Sequence, residues 1–137
     1  VYLLDTSVVS ELRKRKPDKG VVAWVQAAPE ESLCVSAATI GEIQAGIEIF
    51  RTQDAKKARE IEMWLDAVEQ SYDVLPVDSA VFRCWAQLMH RCPNHPIEDA
   101  LIAATALVRG LTVVTRNVSG FAEFIVPLIN PCTQQHQ

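Results

Sequence analysis

The chain of 137 residues is 49% hydrophobic and 22% charged, with a formal net charge of −4, a balance that suits one globular domain with its own core. That charge excludes a protein that grips nucleic acid by bulk positive charge, though not one with a local basic patch. No stretch nears the roughly 20 apolar residues of a membrane span and no basic-then-apolar leader opens the chain. Cys34, Cys84, Cys92 and Cys132 lack C-x-x-C spacing, so the expectation is a cytoplasmic protein with free thiols and no membrane contact.

Val1-Tyr2-Leu3-Leu4 is apolar without alternation, the pattern of a strand buried on both faces, and it stops at Asp5. Thr6 or Ser7 is expected to cap a helix that turns Val8, Val9 and Leu12 inward. Ligands of open α/β sheets bind beyond the carboxyl ends of strands, so Asp5 is a site candidate at once. Arg13-Lys14-Arg15-Lys16 then offer cations to the negative end of the helix dipole, or to nucleic acid or a partner, before Pro17. Asp18 can cap a second helix with Val21, Val22, Trp24 and Val25 inside.

Leu33-Cys34-Val35-Ser36 reads as a second strand, with Ser36 opening a helix from Ala37 to Phe50 whose buried stripe is Ile40, Ile43 and Ile47. Glu42 lies off that stripe, on a small polar face with Thr39 and Gly46, close enough to the strand end to reach the same sheet edge as Asp5. Thr52 to Ser71 is a long amphipathic helix, Val74 to Val77 an edge strand because Pro76 cannot donate to a ladder, and Asp78 the cap of the next helix. His90, Cys92 and His95 follow in a proline-containing loop, but their spacing matches no standard zinc site and a fourth ligand is missing. The helix after Pro96 carries Glu98 and Asp99 in its first turn and an almost wholly apolar body, so its N-terminus abuts a cleft. Leu111 to Thr115 is a fourth strand that delivers Thr115-Arg116-Asn117 to its carboxyl end; Phe121 to Ile129 can add a turn and a last short strand, and 130–137 is a polar, loosely held tail. Alternation of strands and helices points to an α/β fold with a central, mainly parallel sheet of four to five strands, covered on both faces.

Asp5, Glu42 and Asp99 each have a plain explanation: a cap, a surface acid, a dipole partner. If they converge, their mutual repulsion must be relieved by protonation or by a cation. Oxygen donors without convergent histidine or cysteine favour Mg²⁺ or Mn²⁺, and such an ion beside a phosphate supports attack of water on a phosphodiester. A phospho-accepting aspartate is a weaker reading, because Asp5-Thr6-Ser7 lacks a neighbouring second acid.

Taken together, Leu3-Leu4-Asp5-Thr6-Ser7, Thr39-Ile40-Gly41-Glu42-Ile43, Asp99-Ala100-Leu101-Ile102-Ala103-Ala104-Thr105-Ala106 and Val114-Thr115-Arg116-Asn117 closely resemble PIN-domain ribonucleases. More narrowly they are similar to the VapC or FitB-like toxins of bacterial toxin-antitoxin pairs, over nearly the whole chain and in the right order. The resemblance implies a three-layer α/β/α PIN-like domain over 1–137. It implies a Mg²⁺- or Mn²⁺-dependent endoribonuclease with Asp5, Glu42 and Asp99 as metal-binding acids, supported by Thr6, Ser7, Thr115 and Asn117. Arg116 is a phosphate contact or a structural ion pair. The resemblance also implies a homodimer, a cognate antitoxin that blocks the cleft, an RNA substrate of the transfer or ribosomal class, and DNA contact only through the antitoxin. Members of that family often carry a fourth acid where this chain has Gly120. Its absence admits an alternative, a catalytically impaired RNA- or protein-binding module; Glu98 and Glu123 are the substitutes within reach of the same region.

Overall fold

The structure, a computed structural model, describes residues 1–132. Its strands are β1 (Tyr2–Leu4), β2 (Leu33–Ser36), β3 (Asp73–Leu75), β4 (Thr112–Val114) and β5 (Leu128–Ile129). Among the described residues they form one sheet in the order β3-β2-β1-β4-β5, with every neighbouring pair parallel. The register sets Leu3 beside Cys34 and Val113, and Leu4 beside Val35 and Val114. Because successive side chains point to opposite faces, these two rows build two different cores, which is why the strands show no polar alternation.

The helices are α1 (Thr6–Glu11), α2 (Lys19–Ala27), α3 (Ala37–Arg51), α4 (Ala55–Ser71), α5 (Ser79–Arg91), α6 (Ile97–Arg109) and the single turn α7 (Val118–Phe121). Leu3 and Val113 pack with Val81 and Leu88 of α5, the alanine-rich body of α6, and Phe121 and Phe124. On the other face Leu4, Val35 and Val114 meet Val8 and Val9 of α1, Val21 of α2 and Val68 of α4. Ile47, Ala58 and Leu65 hold the α3–α4 hairpin together. The result is a three-layer α/β/α domain. Leu3, Leu4, Val113 and Val114 are all 0% exposed, and burial worth about 1.5–3 kcal/mol for each such side chain holds the two strand ends that carry Asp5 and Thr115.

The capping signals are used as the sequence suggests. Asp18 accepts from the Gly20 and Val21 amides, Ser36 from Ala38 and Asp78 from Val81, whereas the long helix expected from Thr52 starts at Ala55, with Asp54 accepting from the Lys57 amide. Gly110 closes α6 in the left-handed region at φ 69, a conformation that costs glycine little.

Two expectations need correction. Thr6 and Ser7 do not cap α1: they lie within it, Asp5 holds the cap position without a side-chain cap bond, and both hydroxyls turn instead to carboxylates. The supposed loose tail begins packed, with Pro131 buried and Cys132 2% exposed, because Cys132 joins the core under α1 and α2; residues 133–137 of that tail lie outside the described residues. The turn and last short strand expected over Phe121 to Ile129 are present: after α7, a 3-10 turn, Ala122–Phe124, precedes β5, with Phe121 and Phe124 in the core.

Candidate active site

Chain order proceeds from β1 outward through β2 to β3, then crosses to β4 and β5 on the other side. The reversal falls between β1 and β4, at their carboxyl ends, where open α/β sheets open a crevice. Asp5 and Thr115 follow those two strands directly and are 4% and 0% exposed. The Asp5 amide donates to the Val114 carbonyl at 2.9 Å, so the β1–β4 ladder itself fixes the backbone that carries the acid.

Around Asp5 the hydrogen bonds are one-sided. Thr115 Oγ1 and Ser7 Oγ each donate to Asp5 Oδ2 at 2.8 Å. Thr115 Oγ1 in turn accepts from the Asn117 amide at 2.9 Å, and Ser7 Oγ from the Arg116 amide at 3.3 Å. Among the described residues no donor serves Oδ1 and no cationic side chain forms an ion pair with Asp5, Glu42 or Asp99. Two hydroxyls thus orient this carboxylate and leave one oxygen for a ligand.

Glu42 reaches the same edge from the first turns of α3. Thr6 Oγ1 lies 2.8 Å from Glu42 Oε1 and 3.0 Å from Thr39 Oγ1; having a single proton, it gives that proton to the carboxylate and takes one from Thr39. Partial burial raises the Glu42 pKa even though the residue as a whole is exposed; the Thr6 hydrogen bond opposes that rise, and the charges of Glu98 and Asp5 add to it.

Asp99 enters from the start of α6. Burial pushes its carboxyl up to about 6, and the negative charges of Asp5, Glu42 and Glu98 push the same way while His95 opposes them. The structure therefore brings Asp5, Glu42 and Asp99 into one electrostatic neighbourhood, and it adds Glu98. Glu123, the other substitute acid, is turned to His95 instead, with its Oε1 3.2 Å from the imidazole Nε2.

Of the three side chains weighed for zinc, His90 is exposed on α5, Cys92 Sγ lies 3.9 Å from the Glu123 carbonyl oxygen and His95 meets the Glu123 carboxylate. All four cysteines are free. Among the described residues no three His, Cys, Asp or Glu side chains are close enough to hold a bare metal ion. The donor set still fits a hydrated hard cation, because Mg²⁺ keeps several waters and uses one or two carboxylates. The unserved Asp5 Oδ1 and the raised Asp99 are the features such a cation would relieve.

Gly120 shows what replaces the missing acid. Asn117 turns its side chain back to accept from the Gly120 amide at 3.2 Å, and a Cβ at position 120 would fall 2.2 Å from Asn117 Nδ2. The glycine and the capping asparagine are thus one unit, and an acid at 120 has to displace the asparagine amide. An N-x-x-G run between a strand and Phe121 is the signal for this small cap.

Arg116 occupies the ion-pair role: its Nη1 lies 2.6 Å from Glu11 Oε1 and its Nε 3.3 Å from Cys132 Sγ. Glu11 is the residue that sequence reading passed over. It is 4% exposed, and its place three residues after Val8 puts it on the inward face of α1, the available clue.

With the geometry in place, comparison with known proteins is decisive. The PIN domain family model matches residues 2–124. The chain belongs to the PIN-domain family. A VapC ribonuclease, Y4jK of Sinorhizobium fredii, is 35% identical, with 96% of this chain and 97% of that protein covered. The crystal structure of FitAcB from Neisseria gonorrhoeae matches with a TM-score of 0.84 at 30% identity, covering 96% of this chain and 98% of that one. A Mycobacterium tuberculosis member of the VapBC family of toxin-antitoxin systems, VapBC-5, matches at 0.66 with 26% identity, over 93% and 96% of the two chains. In this PIN domain Asp5 follows β1, Glu42 lies on α3 and Glu98 and Asp99 open α6, and the four acids act on one another's charge.

Proposed function

We propose that this PIN-domain chain is a Mg²⁺- or Mn²⁺-dependent endoribonuclease, the toxin of a toxin-antitoxin pair. The observation that carries the reading is the coupling of Asp99 to Asp5, Glu42 and Glu98 without any ion-paired cation among the described residues; the names of the ribonuclease and toxin-antitoxin relatives support it. Asp5 and Asp99 would hold the ion, with Glu42 directly or through water. When bound, such an ion acidifies its water and neutralises charge on the phosphodiester under attack.

The chain's own residues supply orientation. Thr115 and Ser7 fix Oδ2 of Asp5 and leave Oδ1 without a protein donor among the described residues, and Thr6 fixes Glu42. Asp99, with a pKa of about 6, stays largely ionised near neutral pH and is more readily protonated than an ordinary aspartate. The reading brings with it a cognate antitoxin, a homodimer, a structured RNA of the transfer or ribosomal class, and action in the cytoplasm.

Purified protein is expected to cut such RNA with added Mg²⁺ or Mn²⁺ and to stop with EDTA; absence of cleavage with either metal rejects the nuclease. A second reading, an RNA- or protein-binding module with impaired catalysis, draws on Gly120 and the asparagine amide packed against it. Metal-dependent turnover free of contaminating nuclease rejects that one.

A further inference from the structure

The acids of the candidate site stand on separate supports. Asp5 and its donor Thr115 are carried by the sheet edge, whereas Glu98 and Asp99 ride on the first turn of α6. That turn has no side-chain cap: Pro96 holds the cap position and brings no acceptor in its side chain. Beyond the packing of the helix body, its place depends on what grips the linker 92–96 that leads into it.

The grip is His95. Its side chain is 15% exposed, its Nε2 lies 3.2 Å from Glu123 Oε1, and its ring centroid is 4.7 Å from that of Phe124. Phe124 is 0% exposed and stands 5.9 Å from Phe121, so the imidazole rests on the core. The other nitrogen, Nδ1, is buried with no hydrogen-bond partner among the described residues, which leaves Glu123 and Phe124 to orient the ring. The His95 amide donates to the Cys92 carbonyl at 3.3 Å, and Cys92 Sγ lies 3.9 Å from the Glu123 carbonyl oxygen. Ile125, directly after Phe124, sits in the left-handed region at φ 54. A β-branched residue is rarely found there, and such a bend persists where surrounding contacts hold it.

Glu123 and Phe124 belong to the same stretch of chain as Thr115. From Thr115, which orients Asp5, the backbone runs through Asn117, the cap of α7, to Phe121 and the turn Ala122–Phe124. His95 thus closes a bridge between the segment that aims Asp5 and the turn that carries Asp99. It also opposes the acids around Asp99: Asp5, Glu42 and Glu98 raise that carboxyl, and His95 lowers it.

We propose that His95 is a positioning residue for the metal site: clasped by Glu123 and Phe124, it locks the first turn of α6 to residues 115–124 and so holds Asp99 in place alongside Asp5. The inference rests on the metal-binding part of the nuclease reading and adds to it a residue that acts without touching the cation or the RNA.

The test is the Mn²⁺ affinity of the full chain, read as free Mn²⁺ by electron paramagnetic resonance, together with amide hydrogen exchange of the metal-free protein. Glu123 is 70% exposed, so Glu123→Ala opens the clasp without opening the core. Glu123→Ala and His95→Ala are each expected to weaken Mn²⁺ binding about tenfold, the scale for partners that aim a metal ligand. Both should speed exchange of the Ala100 amide, which donates to the Pro96 carbonyl, while α3 and α4 keep wild-type protection. The double variant is expected to bind as His95→Ala does, because both changes break one contact. Glu123→Gln keeps an acceptor for the imidazole N–H and is expected to restore most of the affinity. Wild-type Mn²⁺ affinity in either alanine variant overturns the clasp. So does Glu123→Gln binding no better than Glu123→Ala, which gives the effect to charge acting at a distance. Faster exchange throughout the domain also overturns it, by making His95 a packing residue. Where wild type cuts RNA in Mn²⁺, each of these results leaves the nuclease reading standing; a wild type that takes up no Mn²⁺ removes both proposals.

Discussion

Asp5 and Glu11 stand at opposite ends of α1, and each is 4% exposed. Their surroundings differ completely. Glu11 has Lys14 at 2.9 Å, Arg116 at 2.6 Å and the Asp18 amide at 2.8 Å; the Lys14 hydrogen bond leads the effects that hold its pKa below the ordinary value. Asp5 has two hydroxyls on one oxygen and no ion-paired cation among the described residues, while across the cleft Asp99 is raised by its burial and acidic neighbours. A buried carboxylate needs compensation. At Glu11 the chain provides it, and at the Asp5–Asp99 edge it leaves the compensation to something from outside. The first arrangement holds a loop in place; the second is where the proposed cation would act.

The largest effect expected from breaking this contrast is at the acidic edge. Asp5→Asn keeps an acceptor for Thr115 and Ser7 but removes the charge, so cleavage of RNA in Mg²⁺ should fall on the order of a thousandfold, the scale of losing an electrostatic contact to the reacting centre. Circular dichroism and the melting curve should stay close to wild type, and wild-type cleavage by this variant would remove Asp5 from the mechanism. At the other end of α1, Glu11→Gln leaves Arg116 without its carboxylate. Loss of one partner of a fully buried pair costs about 3–5 kcal/mol; with Arg116 34% exposed, solvent reduces that to about 2–3 kcal/mol, read from urea unfolding in EDTA. An unchanged midpoint would mean that Glu11 is not structural.

Thr115→Val tests the orientation of Asp5 without touching its charge. One Oδ2 donor is lost, and activity should fall by about 10–100-fold, the scale for partners that aim a metal ligand, whereas Thr115→Ser should retain most of it. Equal activity in both variants would leave the hydroxyl without a role in orientation.

The smallest effect is a matter of pH, and Glu11 and Asp99 have opposite signs. The Glu11 pKa is lowered from 4.5, so its contribution is present above 4.5 and lost as pH falls through the folded-state value. The Asp99 pKa is raised from 3.8 to about 6, so its contribution is full below 3.8 and lost as pH rises through 6. In metal-free protein Asp99→Asn should therefore raise Tm by a few degrees at pH 8 and by little at pH 4.5. An equal shift at both pH values would show that charge repulsion is not its cause.

Much of the fold was legible because two local signals repeat along the chain. Apolar runs end at polar residues, as at Leu4-Asp5 and Val114-Thr115, and Asp18, Ser36, Asp78 and Gly110 mark helix ends where the backbone has unpaired groups. The acids Asp5, Glu42 and Asp99 were recognisable for a related reason: each interrupts or borders an apolar pattern. Glu11 was not, because a carboxylate on the inward stripe of α1 reads as a solvated charge until Arg116, far along the chain, is seen to fold onto it. The α1 cap was misread because Thr6 and Ser7 have ordinary capping chemistry, and only the approach of Glu42 and the position of Asp5 give their hydroxyls other acceptors.

The order of apolar and polar residues by itself determined that this chain builds a two-faced parallel sheet with acids at strand and helix ends, since periodicity and capping are properties of neighbours along the backbone. Which carboxylates share a cleft, which are neutralised by arginine or lysine, and why glycine and asparagine stand together after β4 were decided only in three dimensions. Those outcomes depend on contacts between residues distant in sequence, and charge acts through space, whatever the separation along the chain.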